Sequence, residues 1–220
     1  MARPNVILKL ATSMDGRIAL SNGESQWITG VESRARVHQM RLGADAILVG
    51  AGTVRADDPL LTARTVPVPT QQPARIVADS HARTSVHSRL VQSVGLGRVI
   101  IASAQPPGPA VQALEGAGAE VWRCGDTVGR VSPNRLLDFC STEGFENVFL
   151  EGGGQLAASF VKLGLVDRIE WFRAPILIGG DGLAAVAALG VSEMNHVSKW
   201  ECVATERIGI DLLETYQRAG

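Results

Sequence analysis

Acidic and basic side chains lie close together in the segment ILVGAGTVRADDPLLTAR, residues 47–64. A hydrophobic run ends in a glycine-containing turn, Asp57 and Asp58 follow in front of Pro59, and Arg64 closes the segment. Guanidinium groups form charge-assisted hydrogen bonds with phosphate and carboxylate groups, and a carboxylic acid can transfer protons. The segment therefore indicates a polar ligand site. Its structural alternative is a tight turn, which Asp before Pro favours by itself.

The glycines of this segment raise the question of a dinucleotide-binding loop. The Rossmann fingerprint requires G-x-G-x-x-G after a strand. Gly50 and Gly52 match it, but the third position is Arg55, whose side chain would hinder close packing of helix on strand. An ordinary Rossmann site is therefore disfavoured. A glycine-rich turn can still bring backbone N–H groups to a phosphate, so a ligand loop and a plain strand exit both stay open.

A second glycine-rich segment, FLEGGGQ, covers residues 149–155 and stands between a strand-like and a helix-like pattern. Its three glycines let the backbone approach a ligand, and the N-terminus of the following helix favours an anion. Glu151 is expected to bind an amine, a ring N–H or a hydroxyl group rather than the anion. The structural alternative is a permissive strand-to-helix turn.

Other candidate residues lie in the first part of the chain. Lys9 interrupts an apolar strand, where a lysine is costly unless it faces a cleft or a partner. Arg34, His38 and Arg41 share one stripe of a helix. A solvated face is favoured for Arg34 and a structural role for His38, whereas Arg41 can reach a site if that face of the helix abuts the strand ends. Trp27, in GESQWIT, is either a core residue or the cover of an aromatic ligand.

The elements that must position these residues alternate between strand-like and helix-like patterns, which predicts an α/β fold. Strands are predicted at residues 5–11, 46–49, 74–78, 98–102, 119–123, 147–150 and 168–178, with a terminal antiparallel pair at 199–206 and 210–216. Helices are predicted at residues 29–41, where Thr29 and Glu32 form a capping box, and at 110–116, 132–144 and 154–163. No repeat or long linker divides the chain, so we expect one domain over residues 1–220.

Bulk properties exclude several classes of function. The formal net charge is −1, which argues against nucleic acid or an acidic membrane surface as partner. Cys124, Cys140 and Cys202 are odd in number and widely spaced, which predicts reduced thiols in a cytosolic protein. The start of the chain does not read as a signal peptide, and no apolar run approaches the roughly 18 residues of a transmembrane helix. The histidines have no acids or cysteines at metal-ligand spacing, so we expect no metal site.

Together, four motifs resemble the reductase domain of bacterial riboflavin biosynthesis. They are RPNVILKLATSMDGR at residues 3–17, GESQWIT at 23–29, the segment at 47–64 and EGGG at 151–154, in the family's order and spacing. The resemblance covers nearly the whole chain. It implies a dihydrofolate-reductase-like fold: three α/β/α layers, a mixed, mostly parallel central sheet and an antiparallel C-terminal strand pair. It also implies a cytoplasmic homodimer.

The activity implied by the resemblance is an NADPH-dependent reduction. The substrate is 5-amino-6-(5-phosphoribosylamino)uracil or its 2,5-diamino pyrimidinone counterpart, and the ribosyl side chain becomes ribityl by hydride addition at C1′. The implied substrate-binding residues are Ser25, Arg41, Leu61, Arg64 and Glu151. The implied cofactor-binding residues are Ala11, Trp27, Thr53, Asp57, Ser80, Gly153, Gly154, Gln155, Leu156, Ala157, Ala158 and Ser159. Lys9 matches a lysine near the reacting sugar, so we expect Lys9 and Asp57 to be catalytic, with either supplying the proton.

Alternatives remain open at this stage. Many bacterial members carry a zinc deaminase domain ahead of the reductase, and its H-x-E and P-C-x-x-C signature is missing here. We therefore expect a separate deaminase, reduction before deamination, or another pyrimidine or pterin-like substrate. A reductase of the same fold could instead place a dihydrofolate-like carboxylate on Arg41 and Arg64. A non-catalytic nucleotide-binding protein is the remaining class, against which the retained Lys9, Asp57 and Glu151 argue.

Overall fold

The computed structural model describes residues 2–219, which form two compact units. Unit 1 contains residues 2–5 and 38–149, and unit 2 contains residues 6–37 and 150–219. The helices are α1 (Val31–Leu42), α2 (Ala51–Asp57), α3 (Arg89–Gln92), α4 (Pro109–Gly116), α5 (Pro133–Thr142) and α6 (Gly154–Lys162). The strands are β1 (Asn5–Thr12), β2 (Arg17–Ala19), β3 (Ala46–Gly50), β4 (Ala74–Ala78), β5 (Val99–Ser103), β6 (Glu120–Arg123), β7 (Asn147–Glu151), β8 (Arg168–Arg173), β9 (Leu183–Ala184), β10 (Trp200–Ile208) and β11 (Asp211–Arg218).

Unit 1 is built on parallel strands. β3 pairs with β4, β4 with β5 and β5 with β6, all in parallel. Ile47, Leu48, Ile76 and Ile100 are fully buried, as expected for strands that are covered on both faces. The predicted strands in this region are confirmed to within about a residue at each end. Because parallel strands end at one edge, the segments that follow β3 and β4 emerge side by side.

The segment that follows β3 is a helix, although a turn was expected there. Gly50 is the extended N-cap residue of α2, and the helix ends where Asp58 takes the left-handed conformation with φ 37°. The backbone N–H of Asp58 donates to Val54 O. Further along, the prediction for α5 is confirmed: Ser132 Oγ accepts the Arg135 N–H, and Pro133 occupies the first turn.

Unit 2 contains both parallel and antiparallel strand pairs. β1 and β8 run parallel, whereas β8 with β11 and β11 with β10 are antiparallel pairs. The predicted fold class, an α/β fold with a mixed, mostly parallel sheet and an antiparallel C-terminal pair, is confirmed. The strand predicted at residues 168–178 is wrong at its end, because β8 stops at Arg173 and Pro175 has no N–H for a ladder.

The start of α1 departs from the predicted capping box. The carboxylate of Asp211 accepts the N–H of Gly30 at 2.7 Å and the hydroxyl of Ser33 at 2.6 Å. A side chain distant in sequence therefore satisfies the polar groups at this helix start, which the sequence assigned to Thr29 and Glu32.

The cysteines are free thiols, as predicted. Burial raises the pKa of both Cys124 and Cys140 to about 12, so these two sulfurs are inert at neutral pH. Across residues 2–219, every helix is too short or too polar to cross a membrane.

Candidate active site

Basic side chains gather at the loop that follows α2 in unit 1. Arg41 donates to Thr62 O at 3.0 Å, and Arg64 follows two residues later. Burial lowers the pKa of Arg64, and the positive charges of Arg41 and Arg89 lower it further. The guanidinium groups of Arg41 and Arg89 therefore both lie within electrostatic range of Arg64, which favours a bound anion there. Arg89 was not a sequence candidate, because it is distant along the chain.

Leu61 is part of the same loop but faces inward. It has φ 55°, and its side chain belongs to the hydrophobic core of unit 1 with Val54, Ala82 and Leu90. Only about 3% of Leu61 is exposed. Any contact of Leu61 with a substrate must therefore come from its backbone.

The adjacent acids Asp57 and Asp58 have different environments. Asp57 is the last residue of α2, and desolvation raises the pKa of its carboxyl group. The shift stabilises the protonated carboxyl group relative to an ordinary aspartate, which is the direction that a proton donor requires, although the residue as a whole is exposed. Thr53, four residues earlier, lies on the same stripe of α2. Asp58 instead accepts the backbone N–H of Arg89 at 2.8 Å, so it joins α2 to α3.

Ser80 lies in the turn after β4 in unit 1. The buried carboxylate of Asp79 shapes this turn by accepting the Thr84 N–H at 2.6 Å and the Thr84 hydroxyl at 2.8 Å. Ser80 Oγ accepts the N–H of Val131 at 2.9 Å. Because the hydroxyl accepts in that bond, its own hydrogen can still be donated to a ligand. Arg83 is exposed nearby in sequence.

Lys9 and Ala11 lie on the same face of β1 in unit 2, and both are half-buried. Lys9 pairs in register with Glu170 of β8, and Glu170 pairs with Thr215 of β11. The buried Glu170 carboxylate accepts the Thr215 hydroxyl at 2.8 Å. The other Glu170 oxygen accepts from Arg168 Nε at 2.5 Å, so this carboxylate, next to Lys9 in register, is held by two donors. The acidic residue inside the apolar strand RIEWF was the signal that could have revealed Glu170.

Trp27 lies on the surface of unit 2. It is 71% exposed, so the interpretation as a core residue is wrong. The guanidinium carbon of Arg34 lies 4.5 Å from the Trp27 ring centroid. Arg34 also donates to Thr29 O at 2.7 Å, so the purely solvated role expected for it is wrong as well. Ser25, two residues before Trp27, is half-buried.

The glycine-rich turn of unit 2 leads into α6. Glu151 is buried at the end of β7, and Gly152 and Gly153 follow with φ 76° and 82°, which only glycine adopts readily. A Cβ on Gly154 would collide with Ala184 O, and Gly154 O accepts the N–H of Ala187. The chain's own backbone therefore accounts for the glycine at position 154.

The predicted cofactor residues of α6 do not all face outward. Ala157 and Ala158 are buried, and Ser159 Oγ donates to Leu156 O. Gln155 is exposed. From this segment, a ligand can therefore be reached by the N–H groups of the first helical turn and by the Gln155 side chain.

The α/β fold of this chain, with its mixed and mostly parallel sheet, is dihydrofolate-reductase-like. A family model described as the RibD C-terminal domain matches residues 4–213. The chain therefore belongs to the RibD C-terminal domain family, as the sequence motifs predict.

Individual relatives agree with this membership. The chain is 37% identical over 220 residues to the 2,5-diamino-6-ribosylamino-4(3H)-pyrimidinone 5′-phosphate reductase of Methanothermobacter thermautotrophicus, which covers 99% of this chain and 100% of that protein. It is 36% identical over 215 residues to riboflavin biosynthesis protein RibD of Actinobacillus pleuropneumoniae, covering 97% of this chain and 57% of that relative. The solved structure of Acinetobacter baumannii RibD matches with a TM-score of 0.85 at 26% identity, covering 99% of this chain and 58% of that one. The chain thus spans little more than half of the RibD proteins it matches.

Proposed function

We propose that this chain is an NADPH-dependent oxidoreductase of riboflavin biosynthesis. It reduces the ribosyl side chain of 5-amino-6-(5-phosphoribosylamino)uracil, or of its 2,5-diamino pyrimidinone counterpart, to ribityl. The observation that carries the proposal is the cluster of Arg41, Arg64 and Arg89 in a member of this family. The relative matched over its full length is named for a substrate with a 5′-phosphate.

The arginine cluster suits a phosphate monoester. A guanidinium group has five N–H donors, so it can hold a backbone carbonyl, as Arg41 does with Thr62 O, and also bind an anion. Arg64 and Arg41 can form forked hydrogen bonds with a phosphate dianion. A carboxylate group carries one negative charge and two acceptor oxygens, whereas a phosphate monoester carries up to two charges and three such oxygens, so a phosphate matches the arginine cluster better. We therefore assign the phosphate to Arg41 and Arg64 and treat the dihydrofolate-like substrate as the rival.

We propose that further residues serve the pyrimidine and sugar part of the substrate. The buried Glu151 can accept hydrogen bonds from an amino group, a ring N–H or a hydroxyl group. Ser25 can both donate and accept. Lys9 can donate to the sugar oxygens, and Lys9 or Asp57 supplies the proton that reaches nitrogen. The raised pKa of Asp57 favours Asp57 for that role.

Local backbone geometry is compatible with a dinucleotide cofactor. Gly152 and Gly153 have positive φ values in front of α6, where N–H groups of the first turn can meet a diphosphate. A Cβ on Gly52, in the first turn of α2, would meet nothing within 4 Å, so the chain leaves open space there. NADPH supplies the hydride when bound. Its proposed contacts are Ala11, Trp27, Thr53, Asp57, Ser80 and the helix start at residues 153–159.

The proposal extends to the setting of the enzyme. We propose a cytoplasmic homodimer with one reductase domain, which shares its pathway with a separate deaminase. Nucleic acid and membranes are not among the proposed partners.

Initial rates of NADPH oxidation test the proposed reaction. The panel contains the aminated and the deaminated pyrimidine ribosyl phosphate and dihydrofolate, each with NADPH and with NADH. We expect turnover with at least one pyrimidine phosphate, a preference for NADPH, and little or no turnover of dihydrofolate. Cofactor binding without turnover of any substrate would favour a nucleotide-binding protein. Efficient turnover of dihydrofolate alone would favour the rival reductase.

A further inference from the structure

The loop that carries Arg64 has an unusual need for hydrogen-bond partners. Leu61, Thr62 and Ala63 are 3%, 5% and 2% exposed, yet they belong to no helix or strand. Buried backbone N–H and C=O groups are costly unless they are paired. Without a neighbouring strand, side chains must supply these partners.

Gln72 supplies two of them at one residue. The N–H of Ala63 donates to Gln72 Oε1 at 2.8 Å, and Gln72 Nε2 donates to Ala63 O at 3.1 Å. The side-chain amide thus holds both backbone polar groups of the residue just before Arg64. A primary amide matches a peptide group in both its donor and its acceptor, as a neighbouring strand would.

Two further side chains act on the neighbouring residues. Arg41 donates to Thr62 O, and His38 Nδ1 accepts the backbone N–H of Arg64 at 3.2 Å. Three successive residues therefore have a side-chain partner each. Gln72 differs from Arg41 and His38 because it forms two hydrogen bonds with the backbone, one to an N–H and one to a C=O.

Gln72 is itself held in place. It is half-buried, and it is joined through Pro73 to the buried strand β4. A Cβ on Gly97 would lie 3.2 Å from Gln72 Cβ, so the backbone at Gly97 packs closely against the base of this side chain. Gln72 is therefore the end of an exposed loop that is anchored by the buried Pro73 and by the contact at Gly97.

We propose that Gln72 is a positioning residue that holds the Ala63 backbone and thereby aims Arg64 at the substrate phosphate. This inference rests on the proposed function of Arg64. Gln72 has no role in the chemical step, so its loss is expected to weaken binding of the phosphorylated substrate while the reduction itself continues at a normal rate. A merely structural residue would lower the melting temperature without distinguishing one substrate from another.

The test compares Gln72→Met with Gln71→Met. Methionine keeps the approximate size of the side chain and removes both hydrogen bonds, and Gln71 is an exposed neighbour in the same loop. For both variants and the unaltered enzyme, KM and kcat are measured with the pyrimidine ribosyl 5′-phosphate and with its dephosphorylated nucleoside. Melting temperature and the Kd for NADPH are measured alongside. We expect Gln72→Met to raise the KM for the phosphorylated substrate roughly tenfold, in line with the loss of two ordinary hydrogen bonds.

The remaining parameters are expected to change little. These are kcat, the Kd for NADPH, the KM for the nucleoside, and every parameter of Gln71→Met. An equal rise in KM for both substrates, or an unchanged KM with only a lower melting temperature, would overturn the role of Gln72. An unaltered enzyme that does not distinguish the phosphate from the nucleoside would overturn the phosphate assignment first, and the role of Gln72 with it. If Gln72→Met does not fold, Gln72→Asn, whose shorter amide cannot reach both groups, replaces it with the same expected split.

Discussion

Arg34 lies over the indole ring of Trp27, with 4.5 Å between its guanidinium carbon and the ring centroid. The same guanidinium donates to Thr29 O at 2.7 Å, so Arg34 contacts this loop at Trp27 and again two residues later. A cation stacked on an exposed ring is stabilised by the ring quadrupole. The contact thus orders an aromatic surface on which a flat ligand group can stack.

The first prediction concerns this pair. Arg34→Met is expected to raise the Kd for NADPH about threefold to fivefold, because a cation–π contact at an exposed site contributes roughly 0.5–1 kcal/mol. Titration of NADPH against tryptophan fluorescence measures the change. Arg36→Met, which removes the nearby ion pair with Glu206, is the control and is expected to bind NADPH normally. Equal affinity in the Arg34 variant would remove Arg34 from the cofactor site.

The second prediction separates the arginines of unit 1. Arg64→Met is expected to raise the KM for the phosphorylated substrate about a hundredfold, since hydrogen bonds to charged groups contribute roughly 1.5–3 kcal/mol each. Arg89→Gln should raise this KM only about threefold, because Arg89 acts through the long-range effect of its charge. Added salt should reduce the difference, since it screens that charge. Steady-state kinetics at low and high ionic strength provide both values. Arg123→Gln, an exposed change elsewhere in unit 1, should alter neither. An unchanged KM in Arg64→Met would contradict the phosphate assignment.

The third prediction follows from the raised pKa of Asp57. If Asp57 donates the proton, kcat falls as the pH rises through this pKa. Asp57→Asn is then expected to have a low kcat that no longer shows this fall. The profile of kcat against pH measures it, with Asp58→Asn as the neighbouring control. Full turnover by Asp57→Asn with normal binding would leave Lys9 as the proton source.

The same shift predicts the effect of Asp57 on stability. A carboxyl group whose pKa is raised on folding contributes stability below its unfolded pKa, and this contribution is lost as the pH rises through the folded pKa. At neutral pH the melting temperature of Asp57→Asn is therefore expected to equal or exceed that of the unaltered protein. A clearly lower melting temperature would show that the ionised carboxylate is stabilising.

The fourth prediction concerns Asp15, in the turn after β1. The Ser13 hydroxyl and the N–H groups of Ile178 and Gly179 lower the pKa of Asp15 to about 2. A lowered pKa contributes stability above the unfolded value, and this contribution is lost as the pH falls through the folded value. Asp15→Asn should therefore lower the melting temperature at pH 7, and the difference should fade between pH values of about 4 and about 2. Thermal melts across this range check it, and a difference that persists undiminished at low pH would contradict the charge-based account.

Much of the fold was predictable because the inner strands are apolar runs that bury both faces. The apolar runs around Ile47 and Ile100 predict strands that are covered on both faces, as in a parallel sheet. α2 was missed because seven residues without a side-chain cap at Gly50 give a weak helical signal. The end of β8 was overestimated because the apolar run continues past Pro175, where the strand cannot.

The motifs of the candidate site could be predicted from the sequence, but the residues that hold the motif side chains in place could not. Family resemblance supplies positions such as Leu61, but only the structure shows that this side chain points into the core. Gln72, Arg89 and Glu170 act on residues far away in sequence or on another strand. Residue spacing carries no information on such contacts, because they depend on tertiary structure.

The mass of the product tests the central claim most directly. The purified chain is incubated with NADPH and the pyrimidine ribosyl phosphate, and the pyrimidine product is analysed by mass spectrometry while NADPH consumption is followed. The account predicts a product with two more hydrogens than the substrate, in its side chain, and one NADPH consumed per product. A pyrimidine of unchanged mass recovered from saturated enzyme and NADPH would contradict the proposed reaction.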